Sequence, residues 1–295
     1  MRLILGTVQF GMDYGVQGSK QPSQKSVDEM LLYALDSGIR VFDTAMAYGE
    51  AETVLGRFCA SYPAFAAEMR FVSKLQAKAF DGEERARWPQ IALENASESL
   101  RRLGTNKLEA YLFHNAAMLF VPGTVEALAT VEEQGLAKAI GVATYTPQEA
   151  MKALEYPQIR AIQIPYNIFD HRLDCCGFFR EAKEKKIRIY ARSSLLQGLA
   201  LMQPDALGER MAFARDYLVR FREICARWQM PPLDTAIRYV ASNEVIDSIV
   251  FGVDTIEQLR KYLSIPTDPL PRQMQEELQA AFDAAEERLV NPTKW

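Results

Sequence analysis

Eight short apolar runs punctuate this chain, and the segments between them read as helices. The runs are Arg2–Val8, Val41–Ala45, Arg70–Leu75, Leu108–His114, Lys138–Thr144, Ala161–Tyr166, Ile187–Ser193 and Ser248–Val253. Several are continuously apolar rather than alternating, the pattern of parallel strands covered on both faces. Ser26–Ser37 places Val27, Met30, Leu31, Ala34 and Leu35 on one helical face and stops at Gly38, a natural terminator. Pro89–Leu103 starts on proline, carries Leu93, Ala96, Leu100 and Leu103 on one stripe and stops at Gly104. Thr124–Gln134, Pro147–Glu155, Phe178–Lys185, Ala206–Trp228 and Thr235–Ser242 follow the same scheme. Strand and helix alternating eight times predict an α/β fold closed as a (β/α)8 barrel. An open doubly wound sheet is the competitor. It is weakened because no run is followed by a G-x-G-x-x-G turn.

The chain's 295 residues suit one such barrel over residues 1–264, followed by a tail over 265–295. The tail holds Pro266, Pro269 and Pro271, an acidic helix expected at Gln273–Leu289, and Trp295. That tryptophan is either a frayed end or an aromatic lid. The net charge of −4 gives no support to nucleic-acid or anionic-membrane partners. Two histidines, His114 and His171, exclude a His-rich metal site, and no metal is expected. Cys59, Cys175, Cys176 and Cys225 form no C-x-x-C pair and read as free thiols of a reducing compartment. The opening Met1–Gly6 is too short for a signal peptide, and no stretch reaches the ~20 apolar residues of a membrane span. A cytoplasmic monomer or small homo-oligomer acting on a small molecule is the expectation.

Four polar residues stand at or just past the ends of consecutive runs: Asp43, Tyr48, Lys74 and His114. A barrel places them on one rim, the face where active sites of this fold lie. An acid, a phenol, an ammonium and an imidazole there suit proton transfer to a carbonyl oxygen. Lys74 beside Tyr48 is expected to lower the phenol's pKa, with Asp43 holding the lysine charged. Tyr48 is then the general acid and His114 a hydrogen-bond donor to the same oxygen. No side chain supplies a hydride, so reduction requires a nicotinamide or similar cofactor.

At these residues the chain resembles the aldo-keto reductase superfamily. The matching segments are Gly38–Gly49 continuing to Glu52 and Leu55-Gly56, Ser99–Gly104 continuing to His114, and Val72–Leu75. The resemblance implies an NAD(P)H-dependent reductase with Asp43, Tyr48, Lys74 and His114 as its tetrad. Gly6 and Thr7 fit the family's first strand beneath the nicotinamide. Gln163 matches the glutamine on the nicotinamide carboxamide, while the usual Ser-Asn after the fifth strand reads Ala143-Thr144. Ser193, Leu195 and Gly198 fit the pyrophosphate loop. Arg192 stands where the family has a tyrosine stacked on the nicotinamide. It either stacks on that ring or binds an anionic substrate. Gly252 and Gln258 match the adenosine loop, but Asp254 replaces the usual 2′-phosphate cation. The family implies NADP, and Asp254 argues for NAD. Arg260 and Lys261 are the candidate replacement cations.

A short tail and Arg192 are similar to bacterial members associated with sugar and polysaccharide metabolism. The leading expectation is reduction of an aldehyde or ketone, or oxidation of the matching alcohol, on a small polar or sugar-like molecule. Two alternatives stay open: a redox-neutral isomerase, epimerase or lyase on the same barrel, and a non-catalytic cofactor-sensing subunit. His171 is expected to be a solvated loop histidine, with substrate contact as the other reading. Trp88 and Phe120 either line the pocket or cover helix ends.

Overall fold

The computed structural model describes residues 2–16, 18–266 and 268–295, and of Thr293 the backbone only. The eight strands are β1 Arg2–Gly6, β2 Val41–Asp43, β3 Arg70–Leu75, β4 Ala110–Phe113, β5 Ile140–Ala143, β6 Ile159–Pro165, β7 Arg188–Arg192 and β8 Ser248–Gly252. Each pairs in parallel with its neighbours in chain order, and β8 returns to β1 through Leu5↔Phe251 and Gly6↔Gly252, closing the barrel. The open-sheet alternative is thereby excluded.

The sheet separates two apolar regions. The smaller fills the barrel and contains Ile4, Val72, Ala110, Leu112, Ala161 and Tyr190, with Val41 and Val250 packed against it. The larger lies between the strands and the surrounding helices and includes Leu5, Phe42, Phe71, Tyr111, Phe113, Ile162, Ile164 and Phe251. Side chains along a strand alternate between faces. Both faces are therefore buried, which explains the unbroken apolar runs.

Helix ends follow local chemistry. Ser23 accepts the backbone N–H of Ser26 at the start of Gln24–Asp36, and Gly104 ends Trp88–Leu103 in the left-handed region at φ 66°. Thr146 and Glu149 form a reciprocal cap on Pro147–Ala153. The helix Ala51–Ser61 was not anticipated from its sequence. Its central Gly56 weakens the helical signal by about 1 kcal/mol relative to alanine. A Cβ at Gly56 would lie 1.9 Å from the carbonyl oxygen of Arg102, so this glycine lets two helices pack closely.

Two expected helices are broken. Ala206–Trp228 divides into a 3-10 segment, Glu209–Ala214, and an α-helix, Arg215–Arg227. The tail helix runs only over Arg272–Phe282 and is followed by a single turn, Glu287–Val290, after an extended Glu286. Phe282 packs edge-on against Phe169 with ring centroids 4.8 Å apart. Trp295 donates from Nε1 to the carbonyl of Arg288 at 2.7 Å, which fastens the terminal residue to the tail's own backbone. No helix among the described residues is long and apolar enough to cross a membrane.

Candidate active site

The period of two along a strand builds the site. Val41, Val72, Leu112, Ala161, Tyr190 and Val250 belong to or pack against the barrel-interior cluster. Two positions further along lie Asp43, Lys74, His114, Gln163, Arg192 and Gly252. These residues form the next interior layer, at the C-terminal mouth. The barrel thus gathers three tetrad residues and three candidate cofactor residues from one rule.

Lys74 and Asp43 are both buried. The lysine Nζ donates to both Asp43 carboxylate oxygens at 2.9 Å and to the carbonyl of Thr44 at 2.9 Å. Burial disfavours the ammonium, but Asp43 and Tyr48 outweigh it, and the lysine pKa moves up. Gln163 donates from Nε2 to Asp43 Oδ1 at 2.8 Å. The Asp43 main-chain carbonyl accepts from the N–H and hydroxyl of Thr7, at 2.9 and 3.0 Å. Thr7 therefore supports Asp43, and its hydroxyl proton is already engaged.

Tyr48 comes from the loop after β2. Lys74 Nζ lies 4.9 Å from its ring centroid, and the His114 ring meets it edge-on at 5.7 Å and 90°. The loop is seated by Gly11. A Cβ there would lie 1.9 Å from the Tyr48 carbonyl oxygen, and the Gly11 carbonyl accepts the N–H of Glu50. The phenol pKa is raised, against expectation: desolvation outweighs Lys74, whose charge Asp43 offsets. His114 falls to about 4, first through burial and then through Lys74 and Arg192. At neutral pH the mouth presents a protonated phenol beside a neutral imidazole. Such a pair can donate a proton and a hydrogen bond to one oxygen.

Arg192 Nη2 donates to the Thr144 carbonyl at 2.8 Å and Nη1 to Ser193 Oγ at 3.1 Å. Its guanidinium lies 4.2 Å from the centroid of the Tyr145 ring. Thr144 is buried, and its hydroxyl faces the Gln163 carbonyl at 3.4 Å. After β7, Ser193, Leu196, Gln197 and Gly198 all take positive φ, at 61°, 47°, 56° and 92°. Three of these are not glycine, a concentration of backbone strain typical of functional loops. Left-handed residues interspersed with others turn N–H groups toward a common concavity suited to anions. Leu195 supports this loop by accepting the N–H groups of Gly198 and Ala200. The hydroxyl of Ser194 is buried there without a partner.

After β8, the N–H of Asp254 donates to Gln258 Oε1 at 2.7 Å, and Thr255 caps the helix Ile256–Leu263 at the Gln258 N–H. Ser19 donates to Asp254 Oδ2 at 3.1 Å, and the other oxygen is buried without a partner. Val16 N–H meets the Gln197 carbonyl at 3.2 Å. The segment after β1 therefore reaches both the β7 and β8 loops. Gly6 pairs with Asp43 and Gly252 at the base of the mouth.

Other expectations separate from this mouth. His171 is buried, not solvated, with its ring centroid 6.5 Å from that of Tyr239. Trp88 stacks on Phe80 at 5.2 Å and donates to the Glu83 carbonyl. Phe120 is exposed. Arg260 lies over the Tyr33 ring at 5.3 Å, and Tyr262 stacks on Phe251 at 4.5 Å. Sequence reasoning missed Ser19 and Tyr145. Tyr145 directly follows Thr144, and an aromatic beside a polar strand end was the available signal. Ser19 offered none.

Comparison with known proteins places this geometry. The profile described as "Aldo/keto reductase family" matches residues 2–283. The chain is 28% identical over 183 residues to aldo-keto reductase YhdN of Bacillus subtilis, a match spanning 60% of this chain and 54% of that protein. It is 24% identical over 262 residues to the NADH-specific methylglyoxal reductase of Escherichia coli, covering 79% and 80% of the two chains. Among solved structures, the holo form of aldo-keto reductase AKR11C1 from Bacillus halodurans superposes with a TM-score of 0.73 at 19% identity, covering 95% and 91% of the chains.

Proposed function

Because the chain belongs to the aldo/keto reductase family, we propose that this oxidoreductase uses NADH to reduce an aldehyde or ketone on a small polar or sugar-like molecule. Oxidation of the matching alcohol is the same step reversed. The observation that carries the reading is the Tyr48 ring meeting His114 edge-on at 5.7 Å, over a Lys74–Asp43 pair closed at 2.9 Å; the raised phenol and lowered imidazole pKa agree with it.

The residues at the mouth fit a dinucleotide. The strained loop Ser193–Gly198 offers N–H groups and the unpartnered Ser194 hydroxyl to a pyrophosphate. Gln163, buried and fixed by its bond to Asp43, would meet the carboxamide. Asp254 has a buried oxygen without a partner. A ribose 2′-hydroxyl would donate to it, whereas a 2′-phosphate would be repelled. Arg260, engaged with Tyr33, is poorly placed to replace the missing cation. The Escherichia coli relative is NADH-specific, in agreement with this reading. Its methylglyoxal activity supports a small carbonyl substrate.

When bound, the nicotinamide supplies the hydride that no side chain carries. The protein's part is proton delivery and orientation. Tyr48 gives its phenolic proton to the carbonyl oxygen as negative charge develops there. His114, uncharged, donates a hydrogen bond to the same atom. Lys74 is kept as an ammonium by Asp43 and stabilises the phenolate left behind. Thr7 and Gln163 hold Asp43 in place.

The altered contacts at Ala143, Thr144, Arg192 and Asp254 favour a redox-neutral reaction; the grouping of Tyr48, Lys74 and His114 supports reduction over both that and a purely sensing role. Calorimetric titration with NADH and NADPH tests the cofactor assignment. Tighter binding of NADH is expected. NADPH binding much more tightly contradicts it.

A further inference from the structure

Arg192 is a partly buried cation without an acidic partner among the described residues. It contacts the Thr144 carbonyl, the Ser193 hydroxyl and the Tyr145 ring. Arg172, Arg188 and Arg102 are paired with acids, at 2.7, 2.9 and 2.7 Å, and Arg222 is held by the carbonyls of Leu201 and Met202; what sets Arg192 apart is its place in the mouth layer beside Asp43, Lys74 and His114. The rest of the mouth does not compensate. Lys74 and Asp43 cancel one another, and His114 is neutral, held down in part by Arg192 itself. The layer therefore carries one uncancelled positive charge. A cation in this layer sets the field that any group bound in the mouth meets.

We propose that Arg192 makes the site discriminate between the redox states of the nicotinamide, accepting the neutral reduced ring and disfavouring the cationic oxidised ring. The inference rests on the reading that this mouth holds a nicotinamide dinucleotide. It adds that the charge of Arg192, rather than ring stacking alone, sets which form stays bound.

The chemistry balances without a further reactant. Hydride departure to the carbonyl carbon leaves one positive charge on the ring, and the proton that completes the alcohol comes from Tyr48. Like charges in one mouth repel, and a tenfold change in relative affinity corresponds to about 1.4 kcal/mol. Spent cofactor is thereby released readily, which favours repeated carbonyl reduction and weakens inhibition by the oxidised form. The overall solution equilibrium is unchanged. Arg192 affects only how tightly each form is held.

The test is calorimetric titration of the full chain with NADH, NAD⁺ and ADP-ribose, which lacks the nicotinamide. Wild type, Arg192→Gln and Arg192→Lys are compared. Wild type is expected to bind NADH at least about tenfold more tightly than NAD⁺. Arg192→Gln should narrow that ratio by about tenfold, mainly through tighter NAD⁺ binding, with ADP-ribose unchanged. Arg192→Lys should keep the ratio. An unchanged ratio in Arg192→Gln overturns the inference and leaves the parent reading intact. So does an equal loss for all three nucleotides, which would place Arg192 on the pyrophosphate. If Arg192→Gln does not fold, the wild-type ratio still decides: equal affinity for NADH and NAD⁺ overturns the proposal. Failure of wild type to bind any of the three removes the parent reading as well.

Discussion

Tyr48 and His114 show how burial selects protonation states. Sequence reasoning expected Lys74 to pull the phenol down. Desolvation, with Lys74 already closed on Asp43, moves it up instead. A general acid needs its proton, so the raised direction suits carbonyl reduction. Tyr48→Phe should lower turnover by about 10²–10⁴-fold while NADH affinity by titration stays nearly constant. His114, depressed to about 4 from its ordinary 6.5, is neutral in the fold across that interval. Its contribution to stability is therefore full above pH 6.5 and lost as pH falls towards 4. The pH profile of kcat/KM for reduction should show no acid limb centred near 6.5; a loss there would mean that His114 titrates normally. At Asp254, replacement by alanine should raise NADPH affinity relative to NADH by about tenfold by removing carboxylate–phosphate repulsion; an unchanged ratio in titration would remove that role.

At the scale of elements, the strands were the most legible part of the chain. Continuous apolar runs such as Tyr111-Leu112-Phe113 are forced by burial on both faces, and several end where a polar residue enters the mouth. Strand parity then carries Asp43, Lys74, His114, Gln163 and Arg192 into one layer. The segment after β1 was illegible because its contacts are remote in sequence: Ser19 and Asp254 are 235 positions apart. Arg192 was legible as an anomaly, but its partner Tyr145 was not, since the pairing depends on how two neighbouring mouth loops fold. Helix Ala51–Ser61 was hidden by Gly56, whose value is steric rather than propensity. Gly11 plays a similar part for the loop that carries Tyr48. Gly11→Ala should displace Tyr48 and lower turnover by about 10²-fold while circular dichroism still reports a folded barrel. Full activity would show that the loop is seated otherwise.

For the whole molecule, barrel closure makes distant segments interdependent, and the last helix joins the same apolar core. Phe282 is buried against Phe169, and Leu278 and Met274 are fully buried beside it. We propose that the tail after residue 264 is an appendage packed on the barrel and stabilised with it. Phe282→Ala should cost about 3–5 kcal/mol in denaturant unfolding, and a single coincident transition by fluorescence and circular dichroism is expected. The central claim is that this mouth transfers a hydride from NADH to a carbonyl carbon while Tyr48 supplies the proton. The most direct measurement uses NADH carrying deuterium at its transferable position, with a panel of small aldehydes and ketones that includes methylglyoxal. The account predicts an alcohol bearing deuterium on the former carbonyl carbon, in amounts equal to the NADH oxidised. Product formation with no loss of NADH and no deuterium incorporated would contradict it.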